Sequence, residues 1–185
     1  MNLPNKLTML RIIMVPVFVV FLSMDEAWCR TVALILFIAA SLTDLLDGRI
    51  ARARNLITDF GKFMDPIADK LLVMSALVVL VALGITPAWV CIIMLAREFI
   101  VSGFRLVAAG KGKVIAAGIW GKLKTVSQMI YIPMAILLMP VGEISDLLYN
   151  IWNILTQIMM YLSAALALWS GFWYIWSNRE YLSDM

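Results

Sequence analysis

The sequence predicts an all-α integral membrane protein of six transmembrane helices, and three observations carry that expectation. Hydrophobic residues make up 63% of the 185-residue chain, with a mean hydropathy of +0.94. Charged residues make up 15%, against about 25% in an average soluble domain. The apolar residues also fall into six runs, each at least close to the roughly 20 residues that cross a bilayer. A soluble domain of this size could not bury so much apolar surface, so its exterior must be apolar too. The composition excludes disorder, a disulfide scaffold and an ordinary cytosolic enzyme. With no His, imidazole-ligated zinc and His-based nucleophile relays are excluded as well. Cys29 and Cys91 lie far apart and form no metal-spaced pair, so they read as packed or lipid-facing thiols.

The runs are 7–24, 29–51, 62–83, 86–108, 118–140 and 147–176. Met24-Asp25-Glu26 ends the first. No small-residue cleavage site follows it, so it reads as a retained span rather than a removable signal. The second ends in the polar stretch 55–59. Gly84-Ile85-Thr86-Pro87 separates the third from the fourth, and a basic, Gly-rich loop over 110–118 separates the fourth from the fifth. Met139-Pro140-Val141-Gly142-Glu143 ends the fifth. The sixth is longer than a straight span needs, which predicts tilt or continuation beyond the apolar core. Its Trp169, Trp173, Tyr174 and Trp176 read as an interfacial aromatic belt, and secondarily as a dimer face. No repeat is visible and no loop is long enough to fold alone, so 1–185 reads as one membrane domain.

An even number of spans puts both termini on one side. Of the 15 Lys and Arg residues, all but Arg30 fall at or near the N-terminal face. The positive-inside rule makes that face, and both termini, cytoplasmic.

The second and third spans should be apolar throughout, yet four carboxylates interrupt them. The second ends Asp44-Leu-Leu-Asp47-Gly48-Arg-Ile-Ala51-Arg52, and the third begins Gly61-Lys-Phe-Met-Asp65-Pro-Ile-Ala-Asp69-Lys70. Positions 44, 47, 48 and 51 share one helix face, as do 61, 65 and 69. A short loop makes the two helices antiparallel neighbours, so both faces can meet at the cytoplasmic edge. Intramembrane acids are costly and mark function by default. An all-oxygen donor set favours Mg²⁺, Mn²⁺ or Ca²⁺, and four acids suffice for two ions about 4 Å apart, the arrangement used in phosphoryl transfer. Gly48, Ala51 and Gly61 leave a smooth patch beside the acids, which admits a bulky ligand or permits close helix packing. A salt-bridge cluster with Arg49, Arg52, Arg54, Lys62 and Lys70 is the bland alternative for the acids. Pro66 is tolerated in a first turn if the third helix starts within 60–63, and kinks it if the helix starts earlier.

The pattern Asp-x2-Asp-Gly-x2-Ala-Arg-x8-Gly-x3-Asp-x3-Asp resembles the signature of the CDP-alcohol phosphotransferases. It matches at all eight fixed positions: Asp44, Asp47, Gly48, Ala51, Arg52, Gly61, Asp65 and Asp69. The six-span layout fits that family over the whole chain. The resemblance implies an enzyme that binds a CDP-linked lipid or alcohol and expels CMP. It also implies a homodimer whose site opens to the cytoplasm and laterally to lipid. Asp44, Asp47, Asp65 and Asp69 would hold the metal, Mg²⁺ or Mn²⁺ and two ions per site. Asp44, Asp47, Gly48, Ala51, Arg52 and Gly61 would contact CDP-diacylglycerol, and Asp69 would be the general base.

The motif fixes the donor but not the nucleophile. The start Asn2-Leu-Pro-Asn5-Lys6-Leu-Thr8-Met-Leu-Arg11, the stretch Ala96-Arg97-Glu98 to Arg105, and Trp120-Gly121-Lys122-Leu-Lys124-Thr125 look like bacterial family members whose acceptor is sn-glycerol 3-phosphate. That likeness implies phosphatidylglycerophosphate and CMP as products, in phosphatidylglycerol biosynthesis, at the bacterial inner (cell) membrane. The physics agrees, because an acceptor with its own phosphate needs cations apart from the metals. Arg97, Arg105, Lys122 and Lys124 are the candidates. Cations snorkelling toward anionic head groups are the alternative, strongest for Lys111 and Lys113. Membrane lipids are expected partners and nucleic acid is not. The rival functions are a family member with another acceptor (inositol phosphate, serine or phosphatidylglycerol) and a divalent-cation transporter using the four acids as its ion site. A transporter usually carries internal repeats and helices broken at mid-membrane, which this sequence lacks.

Overall fold

The computed structural model describes the backbone of residues 3–53, 59–110, 118–138 and 145–179. Within these it describes the side chains of 6–43, 64, 67, 68, 70–110, 118–138 and 145–179. The described residues form six α-helices: α1 (Leu3–Ser23), α2 (Ala27–Ala53), α3 (Asp59–Ala82), α4 (Ala88–Gly110), α5 (Ile119–Leu137) and α6 (Asp146–Ser177). Each covers one of the six apolar runs, with ends shifted by a few residues. The helix α3 begins at Asp59, ahead of the 60–63 start, so Pro66 lies beyond its first turn within continuous helical backbone.

The boundaries follow from local chemistry. Gly84 has φ +73°, a left-handed conformation that Gly adopts without a Cβ penalty. Gly84 N–H donates to the Val81 carbonyl at 3.0 Å and Ile85 N–H to the Leu80 carbonyl at 3.0 Å. This pair of bonds is the Schellman stop of α3. Ser145 caps α6, its Oγ accepting from Leu148 N–H at 3.4 Å, with Asp146 in the first turn. Pro16 and Pro133 lie inside α1 and α5, where each removes one helical donor without ending its helix.

The helices pack as two groups of three. In the first, α1 packs on both α2 and α3; in the second, α6 packs on both α4 and α5. A lighter seam joins them where α3 meets α4 and α5, and α2 meets α5. The core includes Phe18 and Phe37, 5.9 Å apart, with Leu72, Leu77, Leu80, Met94, Tyr131 and Ile136. Thr86, just past the α3 turn, shares a 2.6 Å hydrogen bond with the Tyr131 hydroxyl of α5. At the same end of the bundle Arg30 pairs with Asp25 at 3.8 Å.

Large apolar side chains are exposed on every helix, for example Ile13 on α1, Ile35 on α2, Val78 on α3, Ile92 on α4, Val126 on α5 and Phe172 on α6. Water-soluble monomers rarely present such a continuous apolar surface. Among the described residues, Lys6–Ser23 and Asp146–Ser177 are long and apolar enough to cross a membrane, with mean hydropathies of 2.0 and 1.5. Exposed Trp residues stand near both ends: Trp28 and Trp89 at one, Trp120, Trp169, Trp173 and Trp176 at the other. Trp169 stacks on Trp173 at 6.3 Å and meets Trp120 edge-on at 6.0 Å. Tyr174 departs from the expected belt. It is 7% exposed and turns inward onto α4.

Candidate active site

Asp44, Asp47, Gly48, Ala51 and Arg52 lie on the last turns of α2, and Gly61, Asp65 and Asp69 on the first turns of α3. Helical backbone on both segments keeps 44, 47, 48 and 51 on one face, and 61, 65 and 69 on one face. The side chains of all eight lie outside the described residues, as do Lys111 and Lys113. The donor set is entirely carboxylate, which fits a hard divalent cation and not a soft one.

A connected polar cluster lies beside the motif. Lys70, which follows Asp69, donates to Ser102 Oγ on α4, and Ser102 Oγ donates in turn to the Glu98 carbonyl. The Glu98 carboxylate accepts through Oε1 from Arg97 at 2.9 Å and from Lys124 of α5. Arg97 also donates through Nε to Ser170 Oγ of α6 at 3.0 Å. Two cations, Arg97 and Lys124, thus pair with one carboxylate, and Lys70 joins the cluster through Ser102, which bonds the Glu98 backbone carbonyl; among these four described charges the cations outnumber the acid. Lys124 is only 2% exposed. A buried ammonium requires such a partner, because its desolvation is otherwise too costly.

Two glycines make room for Arg97. A Cβ at Gly171 would stand 3.2 Å from Arg97 Cγ, and one at Gly121 would stand 3.0 Å from its Nη2. The Arg97 side chain therefore runs past both glycines, its stem against α6 and its guanidinium tip against α5, where added side chains would crowd it.

The structure brings together only part of the predicted acceptor set. Arg97 and Lys124 share Glu98. Arg105 lies two turns further along α4, where Nε donates to the Tyr174 hydroxyl at 3.2 Å and the guanidinium covers the Tyr174 ring at 5.4 Å. Lys122 is exposed near the start of α5.

A small cavity of about 30 Å³ lies at the seam, lined by Lys70, Glu98, Lys124, Thr125, Gln128 and Met129 among others. Motif helix α3 lines it directly, and motif helix α2 touches the lining residue Met129. Lys70 is one residue from Asp69, and Met129 Sδ lies 3.7 Å from Ser41 Oγ, three residues before Asp44. Beside it, an open groove of about 480 Å³ runs between α3 and α4, with Lys70, Glu98 and Ser102 at its polar edge and Ile67, Leu71, Phe99 and Leu106 as apolar walls.

Sequence reasoning missed several residues here. Glu98, which in the sequence is only the residue beside Arg97, organises the cluster. Lys70, in the sequence only a possible salt-bridge partner of the motif acids, bonds Ser102 instead. Gln128 carries no signal in the sequence. Arg11, counted as an N-terminal cation, is 1% exposed and is among the largest fully buried side chains, with Thr8 buried one turn before it. The legible signal for Arg11 was the spacing of Thr8 and Arg11 on one face of an apolar helix.

Comparison with known proteins bears on this arrangement. A family model described as CDP-alcohol phosphatidyltransferase matches residues 1–169. The chain is 42% identical to a Bacillus subtilis (strain 168) protein named CDP-diacylglycerol--glycerol-3-phosphate 3-phosphatidyltransferase, over 98% of this chain and 94% of that one. It is 37% identical to a protein of the same name from Rickettsia typhi, over 97% of this chain and 98% of the other. A Mycobacterium tuberculosis protein named probable phosphatidylglycerophosphate synthase is 45% identical over 74% of this chain and 66% of its own length.

Proposed function

The chain belongs to the CDP-alcohol phosphatidyltransferase family, and from that premise we propose that it transfers a phosphatidyl group from CDP-diacylglycerol to sn-glycerol 3-phosphate, releasing phosphatidylglycerophosphate and CMP. The observation that carries the acceptor is the cluster in which Arg97 and Lys124 pair with Glu98 and Lys70 joins through Ser102, which begins one residue from the motif's last acid. It offers a phosphate a seat separate from the carboxylates. The names of the near-full-length relatives support the same reaction.

In this mechanism Asp44, Asp47, Asp65 and Asp69 hold Mg²⁺ or Mn²⁺, two ions per site. When bound, the metal neutralises charge on the donor's diphosphate and on departing CMP. Gly48, Ala51 and Gly61 let the nucleotide approach the backbone, and Arg52 helps hold it. Lys124 and Arg97, with Arg105 and Lys122 nearer the cytoplasmic surface, draw in and orient the acceptor's phosphate. Asp69 takes the proton from the acceptor's terminal hydroxyl. That oxygen attacks the phosphorus bearing diacylglycerol, the bond to the CMP oxygen breaks, and CMP leaves.

The lipid substrate places this chemistry at a bilayer. Exposed apolar side chains on all six helices and Trp residues near both ends support a six-span bundle. Both termini and the site face the cytoplasm of the bacterial inner membrane, and the chain works as a homodimer. The α3–α4 groove, apolar along its walls and polar at one edge, supports lateral access from lipid.

The test is purified protein in mixed micelles with CDP-diacylglycerol and each acceptor in turn: sn-glycerol 3-phosphate, inositol phosphate, serine and phosphatidylglycerol. CMP release and phosphatidylglycerophosphate formation are expected only with the first. Turnover with another acceptor in its place would reassign the enzyme. Metal uptake into sealed vesicles without CMP release would make it a transporter.

A further inference from the structure

Gln128 sits one turn after Lys124 on α5 and lines the same seam cavity as Lys70, Glu98, Lys124 and Thr125. It is 2% exposed, yet its Nε2 has no hydrogen-bond partner among the described residues. Buried polar groups in native proteins are almost always paired, and an orphaned donor calls for an explanation. The buried Lys124 beside it is paired, so the helix face as a whole is not poorly satisfied. An amide held ready for a ligand is the explanation that the cavity itself supplies.

The cavity's size limits what the amide meets. At about 30 Å³ it admits one or two non-hydrogen atoms, not an entire substrate. The chemistry limits it further. A phosphate is drawn to Lys70, Arg97 and Lys124, whereas a carboxamide, which both gives and accepts hydrogen bonds, complements a neutral hydroxyl. On the proposed reaction, the acceptor has one hydroxyl that attacks, one phosphate, and one hydroxyl between them with no chemical part to play.

Resting on that reading, we propose that Gln128 is a specificity-determining residue whose side-chain amide holds the middle hydroxyl of the glycerol phosphate acceptor. The acceptor is then read at three points: phosphate on the cations, middle hydroxyl on Gln128, attacking hydroxyl toward Asp69. Three-point reading also distinguishes sn-glycerol 3-phosphate from its enantiomer, whose middle hydroxyl projects to the other side.

The test compares sn-glycerol 3-phosphate with 3-hydroxypropyl phosphate, which lacks only the middle hydroxyl, in wild type and Gln128→Met. Wild type should prefer the natural acceptor in kcat/KM by about tenfold or more, since a site built to bind a hydroxyl rejects the analogue without it. In Gln128→Met the ratio should fall toward one, through loss with sn-glycerol 3-phosphate alone, while KM for CDP-diacylglycerol stays unchanged. An equal loss with both acceptors, or no preference in wild type, overturns the proposal. Where Gln128→Met does not accumulate in the membrane, the ratio is read on Gln128→Asn, which withdraws the amide by one methylene; a ratio equal to wild type there overturns the proposal too. If wild type forms no phosphatidylglycerophosphate from sn-glycerol 3-phosphate at all, the acceptor assignment itself fails, visibly and before any variant is compared.

Discussion

The guanidinium of Arg97 donates to the carboxylate of Glu98, the next residue in the chain, at 2.9 Å. Successive positions on a helix point about 100° apart and do not ordinarily face each other. Here Arg97 is anchored on α6 through Ser170 and Glu98 on α5 through Lys124. One dipeptide of α4 therefore ties together all three helices of the second group. Glu98→Gln keeps the shape and removes the charge. Taking away one partner of a largely buried ion pair costs on the order of 3 kcal/mol. For a chain of this size that lowers the thermal midpoint in detergent by about 6–12 °C. An unaltered midpoint would mean that Arg97 and Lys124 are already solvated.

Gly171 and Gly121 are expected to act on the acceptor through Arg97. Gly171→Val presses on the Arg97 stem at Cγ, whereas Gly121→Ala meets only the Nη2 tip of the side chain. The acceptor KM should rise severalfold for Gly171→Val and much less for Gly121→Ala, with the donor KM unchanged in both. Stability is a poor readout for these variants, because replacing Gly inside a helix returns about 1 kcal/mol of propensity at Ala and less at Val. Equal donor and acceptor effects in Gly171→Val would show a general packing defect.

Asp44→Asn, Asp47→Asn and Asp65→Asn should each lower turnover by at least about a hundredfold with the folded protein still in the membrane, because ligands of one cluster act as a unit. EDTA should abolish activity, and Mg²⁺ or Mn²⁺ should restore it where Zn²⁺ does not. Full activity of any one variant at low metal would defeat the two-ion reading.

Lys124→Ala and Arg105→Ala should raise the KM for sn-glycerol 3-phosphate and leave that for CDP-diacylglycerol nearly constant. A charge-assisted hydrogen bond is worth about 1.5–3 kcal/mol, or roughly tenfold or more in affinity. Lys124, buried and adjoining the cavity, should have the larger effect; Arg105 is already engaged by Tyr174. Lys111→Ala is the control. If it weakened the acceptor as much, surface potential would account for all three.

The helices were legible because apolar runs, turn residues and the Gly84 stop are local properties. The motif acids were legible because carboxylates in an apolar run stand out and their spacing places them on single helix faces. The partners of Arg97, Glu98, Arg105 and Gln128 were not, since they depend on how α4, α5 and α6 are rotated against one another. Tyr174 illustrates the limit. Its neighbours Trp173 and Trp176 are exposed as an aromatic belt would be, while Tyr174, in the same run, faces Arg105. Arg11 is a second case: its charge marks it as a cation on an apolar helix, but only the packing of α1 on α2 and α3 buries it.

The division into two helix triplets has a consequence for how the reaction can diversify. Every motif position lies on α2 or α3, in the first triplet, while Arg97, Arg105, Lys122, Lys124 and Gln128 all lie on α4 or α5, in the second. On the proposed reading, the choice of alcohol is written on one body and the handling of the nucleotide-linked lipid on another. The acceptor could then be exchanged mainly by rewriting the second body, with Lys70 the first body's contribution to the phosphate and the diphosphate chemistry inherited intact. The seam between them is where the two vocabularies must agree, and Lys70, which extends from the first triplet into the second's polar cluster, is the side chain that spans it.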